Sequence, residues 1–301
     1  MPAFRLDRLL TMCLFHPLQR ASLGAGEFHL PIMMYHSISD EPEDGVSHYY
    51  RTATSPQVFT QHMALLRAQG CEVVSLKVGL EVLRHERTVT RKPVVLTFDD
   101  GFHDFYTKAF PILRQYGFAA TVFLPTAFIG NETRRFKERE CMTWSEVREL
   151  QQAGIEFGSH TVNHPTLHEL DLAQVRTELE QSKAAIENEL GEPIASFAYP
   201  YAFPSADRSF VKTFRNLLAE AGYACCATTE LGRVKIGDDP YRLKRLPANS
   251  LDDPALFRAK LEGGYDWLAL PQGMVKRFKH RFLGFGKGTR VPAQAPGVSL
   301  N

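Results

Sequence analysis

Pro93-Val94-Val95-Leu96-Thr97-Phe98-Asp99-Asp100-Gly101 decides the reading of this chain. Six mostly apolar residues make a strand suited to burial on both faces, and it ends on two carboxylates. Gly101 lets the backbone turn sharply away. Consecutive residues on an extended chain point in different directions. One aspartate can therefore hold a metal while the other stands beside a water.

A second stretch supplies matching ligands. The short strand Ile155-Glu156-Phe157-Gly158 runs into Ser159-His160-Thr161-Val162-Asn163-His164-Pro165. Pro165 disfavours helical geometry at His164 and places both histidines on a strand-end loop, although an i, i+4 pair also converges from a single helical turn. One carboxylate and two imidazoles make a divalent metal site with open positions, and the remaining carboxylate completes a kit for metal-assisted hydrolysis. Mixed histidine and aspartate ligation suits zinc, while other divalent ions also fit. Alone, Asp-Asp-Gly reads as a solvated turn and the histidine pair as an accident of sequence. Together, each at the end of an apolar strand, they define a site.

Outward from these motifs, strands alternate with helices. Ser55 and Pro56 start a helix that ends before Gly70. Strands are predicted at Glu72–Leu76, Ala119–Leu124, Ala195–Tyr199 and Tyr223–Thr228. Helices are predicted over Tyr106–Tyr116, from a Thr143/Glu146 capping box to Gly154, from Asp171 to Leu190, and around Phe210–Ala221. This alternation argues for a parallel α/β architecture, and motifs at strand C-terminal ends fit a barrel with its active site on that face.

The two motifs resemble the first two motifs of the polysaccharide deacetylases, the NodB-homology enzymes of carbohydrate esterase family four. The resemblance continues through Tyr106, Pro111-Ile112-Leu113, Tyr116-Gly117, Ala120-Thr121-Val122-Phe123-Leu124, Thr143-Trp144 and Gly154 to Gly158, and covers roughly residues 30 to 250. It implies a distorted, incomplete (β/α) barrel. It implies Asp99 as catalytic base, and Asp100, His160 and His164 as metal ligands. Two departures stand out. The family's arginine-containing third motif corresponds to Phe197-Ala198-Tyr199-Pro200-Tyr201-Ala202, without the arginine that orients the base. The C-terminal Leu-x-His that supplies a general acid has no match after Arg245, since the one later histidine is His280 in a basic tail.

Both departures point to a permuted branch that includes poly-N-acetylglucosamine de-N-acetylases, where the strand carrying the acid histidine comes first. Pro31-Ile32-Met33-Met34-Tyr35-His36-Ser37 is similar to that strand and implies His36 as general acid; a core histidine at a strand end is the other reading. Arg242 and Arg245 are candidates to orient Asp99, against a surface ion pair for each. The resemblance places an oxyanion-binding backbone N–H near Tyr201. Trp144, Tyr199, Tyr201 and Phe203 are candidates to stack on sugar rings.

Composition sets the outer bounds. A chain of 301 residues, 44% hydrophobic, can bury a large core, and its net charge of +1 makes no case for a nucleic-acid surface. Cys13, Cys71, Cys141, Cys225 and Cys226 form no disulfide or zinc pattern and lean towards a reducing, cytoplasmic compartment. The run Leu9 to Phe15 is too short to span a bilayer and makes a poor signal peptide. Residues 1–29 read as an amphipathic segment that packs on the domain or touches a membrane surface, residues 30–270 as the catalytic domain, and 271–301 as a basic, partly disordered tail. The tail's Lys276-Arg277-Phe278-Lys279-His280-Arg281-Phe282 reads as a solvated face or as contact with anionic headgroups.

The expected activity is metal-dependent hydrolysis of N-acetyl groups on amino sugars of a polysaccharide or glycan precursor. An amidase acting on a non-sugar C–N bond, a non-catalytic glycan-binding relative, and a membrane-associated scaffold are the alternatives.

Overall fold

Buried apolar strands and capped helices wind into a closed barrel. The computed structural model describes residues 5–22, 28–43, 45–46 and 50–269. Eight parallel strands share one sheet: β1 (Ile32–Tyr35), β2 (Glu72–Val74), β3 (Pro93–Phe98), β4 (Thr121–Leu124), β5 (Glu156–Ser159), β6 (Ser196–Ala198), β7 (Cys225–Leu231) and β8 (Leu243–Pro247). Their order is β1-β8-β7-β6-β5-β4-β3-β2, and β1 also pairs with β3. Seven strands therefore close on one another, and β2 lies outside the ring beside the start of β3. The expected (β/α) barrel is present, distorted from the eight-strand form by that missing place.

Local caps set the helices. The Ser55 hydroxyl accepts from Val58 N–H at the start of Pro56–Ala68. Thr143 and Glu146 close a capping box on Trp144–Gln152, and Asp171 and Gln174 close another on Leu172–Leu190. The predicted strand Glu72–Leu76 stops at Val74, because Ser75 caps a helix, Leu76–Leu83, that the sequence reading lacks. That helix plugs the barrel floor. Its Leu76 N–H donates to Thr121 Oγ1 at 2.9 Å and its Lys77 N–H to the Glu156 carboxylate at 3.0 Å, a negative group at a helix N-terminus. Leu76, Leu80 and Leu83 then pack with Ile32, Val95 and Phe123. Above them Phe123 fills the interior so fully that a Cβ on Gly158 would lie 2.7 Å from its ring and 2.4 Å from Ser196 Oγ. Only glycine fits there.

The N-terminal segment is helical, through Leu6–Leu10, a π-turn Thr11–Phe15 and His16–Ser22. It packs on the end of the domain. Tyr265 donates to the Asp7 carboxylate at 2.7 Å, Trp267 Nε1–H donates to Thr11 Oγ1 at 3.0 Å, and His16 meets Glu262 at 2.7 Å. Phe15 stacks on Trp267 with ring centroids 4.6 Å apart. No helix among the described residues is long and apolar enough to cross a membrane. All five cysteines are free, and only Cys13 is exposed. The basic run at 276–282, including His280, and the predicted disordered stretch from 284 lie outside the described residues.

Candidate active site

The C-terminal ends of β1, β3, β5 and β8 deliver the chemistry. Asp99 follows β3, and its N–H donates to the Tyr35 carbonyl at 3.0 Å. Arg245 rises inside the barrel from β8 and is fully buried. Its two terminal nitrogens donate to the two Asp99 oxygens at 2.7 and 2.8 Å. Its Nε–H donates to the Thr228 carbonyl at 3.0 Å, and the guanidinium lies over the Phe123 ring. This fork fixes the Asp99 carboxylate in two dimensions. Burial pushes the Asp99 carboxyl up, but the charge and hydrogen bonds of Arg245, together with His160 and His36, outweigh it and hold the group below the ordinary carboxylate range.

Asp100 adopts a left-handed backbone, φ 72°, so the adjacent carboxylates diverge. Its Oδ1 faces the Nε2 atoms of His164 at 3.2 Å and His160 at 3.6 Å. The ligand atoms of all three buried residues lie within 4.8 Å of one another. His160 Nδ1–H donates to the Ala198 carbonyl at 2.8 Å, which leaves the Nε2 lone pair facing Asp100. Burial brings the His160 pKa down to about 3, against the pull of Asp99, so the imidazole is neutral. Burial also works to raise Asp100, yet His164 and the Lys137 ammonium carry it well below the carboxylate range.

A buried Oδ1 with no hydrogen-bond partner, a carboxylate that stays ionised and a neutral imidazole match the donor set of a divalent cation. The residues fit such an ion.

The histidine loop owes its shape to Glu178, on the helix Leu172–Leu190. This buried carboxylate accepts from the N–H groups of Val162 and Asn163 at 2.7 and 2.9 Å and from the Asn163 amide at 2.7 Å. His164 N–H donates to Thr161 Oγ1 at 2.9 Å. Asp100, Lys137, Thr161, His164 and Tyr201 all have positive φ. Such strained backbones concentrate at functional sites and persist where surrounding bonds over-determine them.

The remaining expected residues separate. His36 ends β1, and its Nε2 lies 3.9 Å from Asp99 Oδ2 at the partly open rim. Burial lowers its pKa, against the two aspartates. Tyr201 stands half-exposed at the mouth, edge-on to His164 at 4.5 Å. Tyr199 does not line the site: it is buried against Phe203 and Phe214, and its hydroxyl meets His168. Trp144 and Phe203 are likewise buried, so neither can stack on a sugar. Arg242 forms a partly exposed pair with Glu230 and does not orient Asp99. Two residues carried no signal in the sequence. Glu178 is one, and Lys137 the other; its ammonium lies 3.0 Å from Asp100 Oδ2 and borders Phe136 and Tyr201. Lys137 sits in the turn of a hairpin, Arg135–Phe136 with Arg139–Glu140, and nothing in the local pattern aims it at the site.

A buried Asp-Asp pair and a His-x-x-x-His loop meet at one barrel mouth, with Asp100, His160 and His164 arranged so that they could hold a metal ion. Residues 86–226 match the family model described as polysaccharide deacetylase. The match holds Asp99, Asp100, His160 and His164, while His36 and Arg245 come from outside it. YxkH of Bacillus subtilis (strain 168) is 29% identical over 233 residues, 77% of this chain and 76% of its own length. The poly-beta-1,6-N-acetyl-D-glucosamine N-deacetylase of Escherichia coli (strain K12) is 34% identical over 142 residues, 43% of this chain but only 20% of that protein. Among solved structures, the Streptococcus pyogenes deacetylase PplD in complex with acetate superposes with a TM-score of 0.67 and 26% identity, over 78% of this chain and 99% of that one.

Proposed function

We propose that residues 30–270 form a metal-dependent deacetylase that removes N-acetyl groups from amino sugars of a poly-N-acetylglucosamine-like glycan or its precursor. The observation that carries this reading is Asp99, forked by Arg245, beside the Asp100, His160 and His164 cluster, with His36 3.9 Å away. Asp100 Oδ1 and the two Nε2 atoms are the groups that would hold the ion, with zinc the best match to the donor set. A bound divalent cation supplies Lewis-acid polarisation of the acetyl carbonyl and makes a nearby water more acidic.

The chain's own groups do the proton work. Asp99, ionised and unable to rotate, takes a proton from the water that attacks the amide carbon. The backbone N–H of Tyr201 donates to the developing oxyanion in this reading, which the left-handed backbone at the mouth, φ 56°, supports. His36 gives its proton to the departing amine, a poor leaving group unless protonated. Tyr201 offers its exposed ring to a sugar. Acetate, the ligand held by PplD, is the acid product of this chemistry. The half-exposed Tyr201 and Lys137 leave the mouth open, which favours a glycan over the enclosed substrate of a small-molecule amidase. Retention of Asp99 and all three ligands argues against a non-catalytic binder.

The test is acetate release from N-acetylglucosamine oligomers by zinc-reconstituted protein, beside Asp99→Asn and His36→Ala. Each substitution is expected to cost about 10²–10⁴-fold in rate. Release that survives in His36→Ala would return that residue to a structural role. No release from zinc-loaded wild type would overturn the glycan substrate.

A further inference from the structure

We propose that Lys137 is a positioning residue of the metal centre, which commits Asp100 to hold an ion through Oδ1 alone and weakens that hold. This role rests on the metal-dependent reading above. The two oxygens of Asp100 have different surroundings. Oδ2 accepts from the Lys137 ammonium at 3.0 Å, while Oδ1 is buried beside the two imidazoles with no hydrogen-bond partner. One oxygen is occupied and the other is left open.

A half-exposed lysine beside an aspartate ordinarily contributes little and needs no scaffold. Lys137 has one. The pairs Arg135 with Glu140 and Phe136 with Arg139 leave Lys137 and Glu138 as a two-residue turn, with φ of 49° and 61°. Hairpin turns of this kind favour Asn-Gly or Asp-Gly, because left-handed backbone crowds a Cβ. Here a lysine and a glutamate fill it, and such strain persists where surrounding contacts over-determine it. At the base of the hairpin, Met142 N–H donates to the Gly101 carbonyl at 3.0 Å, one residue beyond Asp100. Arg139 donates to Ser37 Oγ at 2.5 Å, beside His36, and pairs with Glu41 at 3.3 Å. The Phe136 ring packs on Phe128 and on His164, with centroids 4.3 and 5.0 Å apart. The ammonium itself lies over the rings of Phe136 and Tyr201, at 4.6 and 5.4 Å. The hairpin is thus tied next to Asp100 at its base and returns to the same residue at its tip.

A carboxylate with one oxygen engaged by an ammonium is not free to chelate an ion through both. A positive charge beside the ligand set also opposes a divalent cation and draws negative charge from the carboxylate. An ion so held keeps more of its polarising power. Affinity falls and Lewis acidity rises.

The full chain, stripped of metal, would be titrated with zinc against a chromophoric chelator, and with cobalt followed by visible absorption. Lys137→Met is expected to raise zinc affinity by about tenfold or more, because a like charge is removed and Oδ2 is freed. Its cobalt d–d bands should weaken relative to wild type as Oδ2 adds a further ligand. The kcat for acetate release should fall by about tenfold. Lys137→Arg keeps the charge and should keep the wild-type affinity and spectrum. Glu138→Gly alters the same turn without removing the ammonium and should leave both unchanged. A rise in affinity of equal size in Glu138→Gly would assign the effect to the turn and overturn the role of Lys137. Wild type that binds zinc no more weakly than Lys137→Met sinks this role alone. Wild type that binds no zinc sinks the metal centre with it.

Discussion

Arg245 holds both carboxylate oxygens of Asp99, at 2.7 and 2.8 Å, from inside the barrel and 146 residues away in sequence. It takes the place of the arginine missing from the third motif. Arg245→Met should lower kcat by about 10²-fold, because a carboxylate free to rotate loses its aim at the attacking water. Zinc content should be unchanged, since Arg245 touches no ligand. Stability should fall by roughly 3–5 kcal/mol, the cost of leaving a buried charge unpaired. Arg245→Lys should rescue little, because an ammonium cannot make the fork. Steady-state kinetics with metal analysis checks this, and an unchanged kcat in Arg245→Met would remove the positioning role.

Glu178 shapes the histidine loop without touching the ligand cluster. Glu178→Gln removes the charge that gathers the Val162 and Asn163 N–H groups. Zinc affinity should fall by about 10–100-fold, the usual effect of losing a group that orients metal ligands. Competition with a chromophoric chelator measures it directly. Wild-type affinity in the variant would mean that the loop holds its shape without the carboxylate.

Gly158→Ala tests the packing beneath the site. The new methyl would meet Ser196 Oγ at 2.4 Å and the Phe123 ring at 2.7 Å. Overpacking of this kind costs about 1–3 kcal/mol, read from urea unfolding. Adding Ser196→Ala removes the nearer obstacle and should recover part of the loss, a non-additive pair. Full additivity would show that the backbone simply moves aside.

His62 predicts an acid-sensitive fold. Its Nε2–H donates to the Asp252 carbonyl at 2.7 Å, its Nδ1 accepts from Tyr35, and its ring stacks on Phe257. Burial outweighs the Asp252 carbonyl and lowers its pKa from 6.5 to about 4. Between those values the unfolded chain binds a proton that the folded chain refuses, so stability is full above pH 6.5 and falls as pH drops towards 4. The loss is on the order of 3 kcal/mol. Melting curves of chelator-treated wild type and His62→Gln should diverge in slope over that window. Parallel slopes would sink the assignment.

Much of the site was legible because its parts are local. Asp99 and Asp100 share one strand end, His160 and His164 share one loop, and each motif falls within a handful of residues. Helix starts were equally readable, since the caps at Ser55, Thr143 and Asp171 bond backbone groups only three residues away. Tyr199 misled for a related reason. A period of two would put Tyr199 and Tyr201 on the same side of an extended chain; the left-handed backbone at Tyr201 sends that ring to the mouth while Tyr199 stays in the core.

By itself, then, the sequence determined the strand–helix alternation and the Asp-Asp and His-x-x-x-His motifs, because local periodicity and short-range hydrogen bonds encode these. The expectation for His36 rested on the resemblance of its strand to the permuted branch. Tertiary structure alone chose Arg245 over Arg242, brought Lys137 to Asp100 and Glu178 to the histidine loop, and turned the N-terminal leucines outward. Each of those outcomes depends on which distant groups closure of the barrel leaves within a few ångströms, and for the helix, on the polar partners that the end of the chain presents to its inner face.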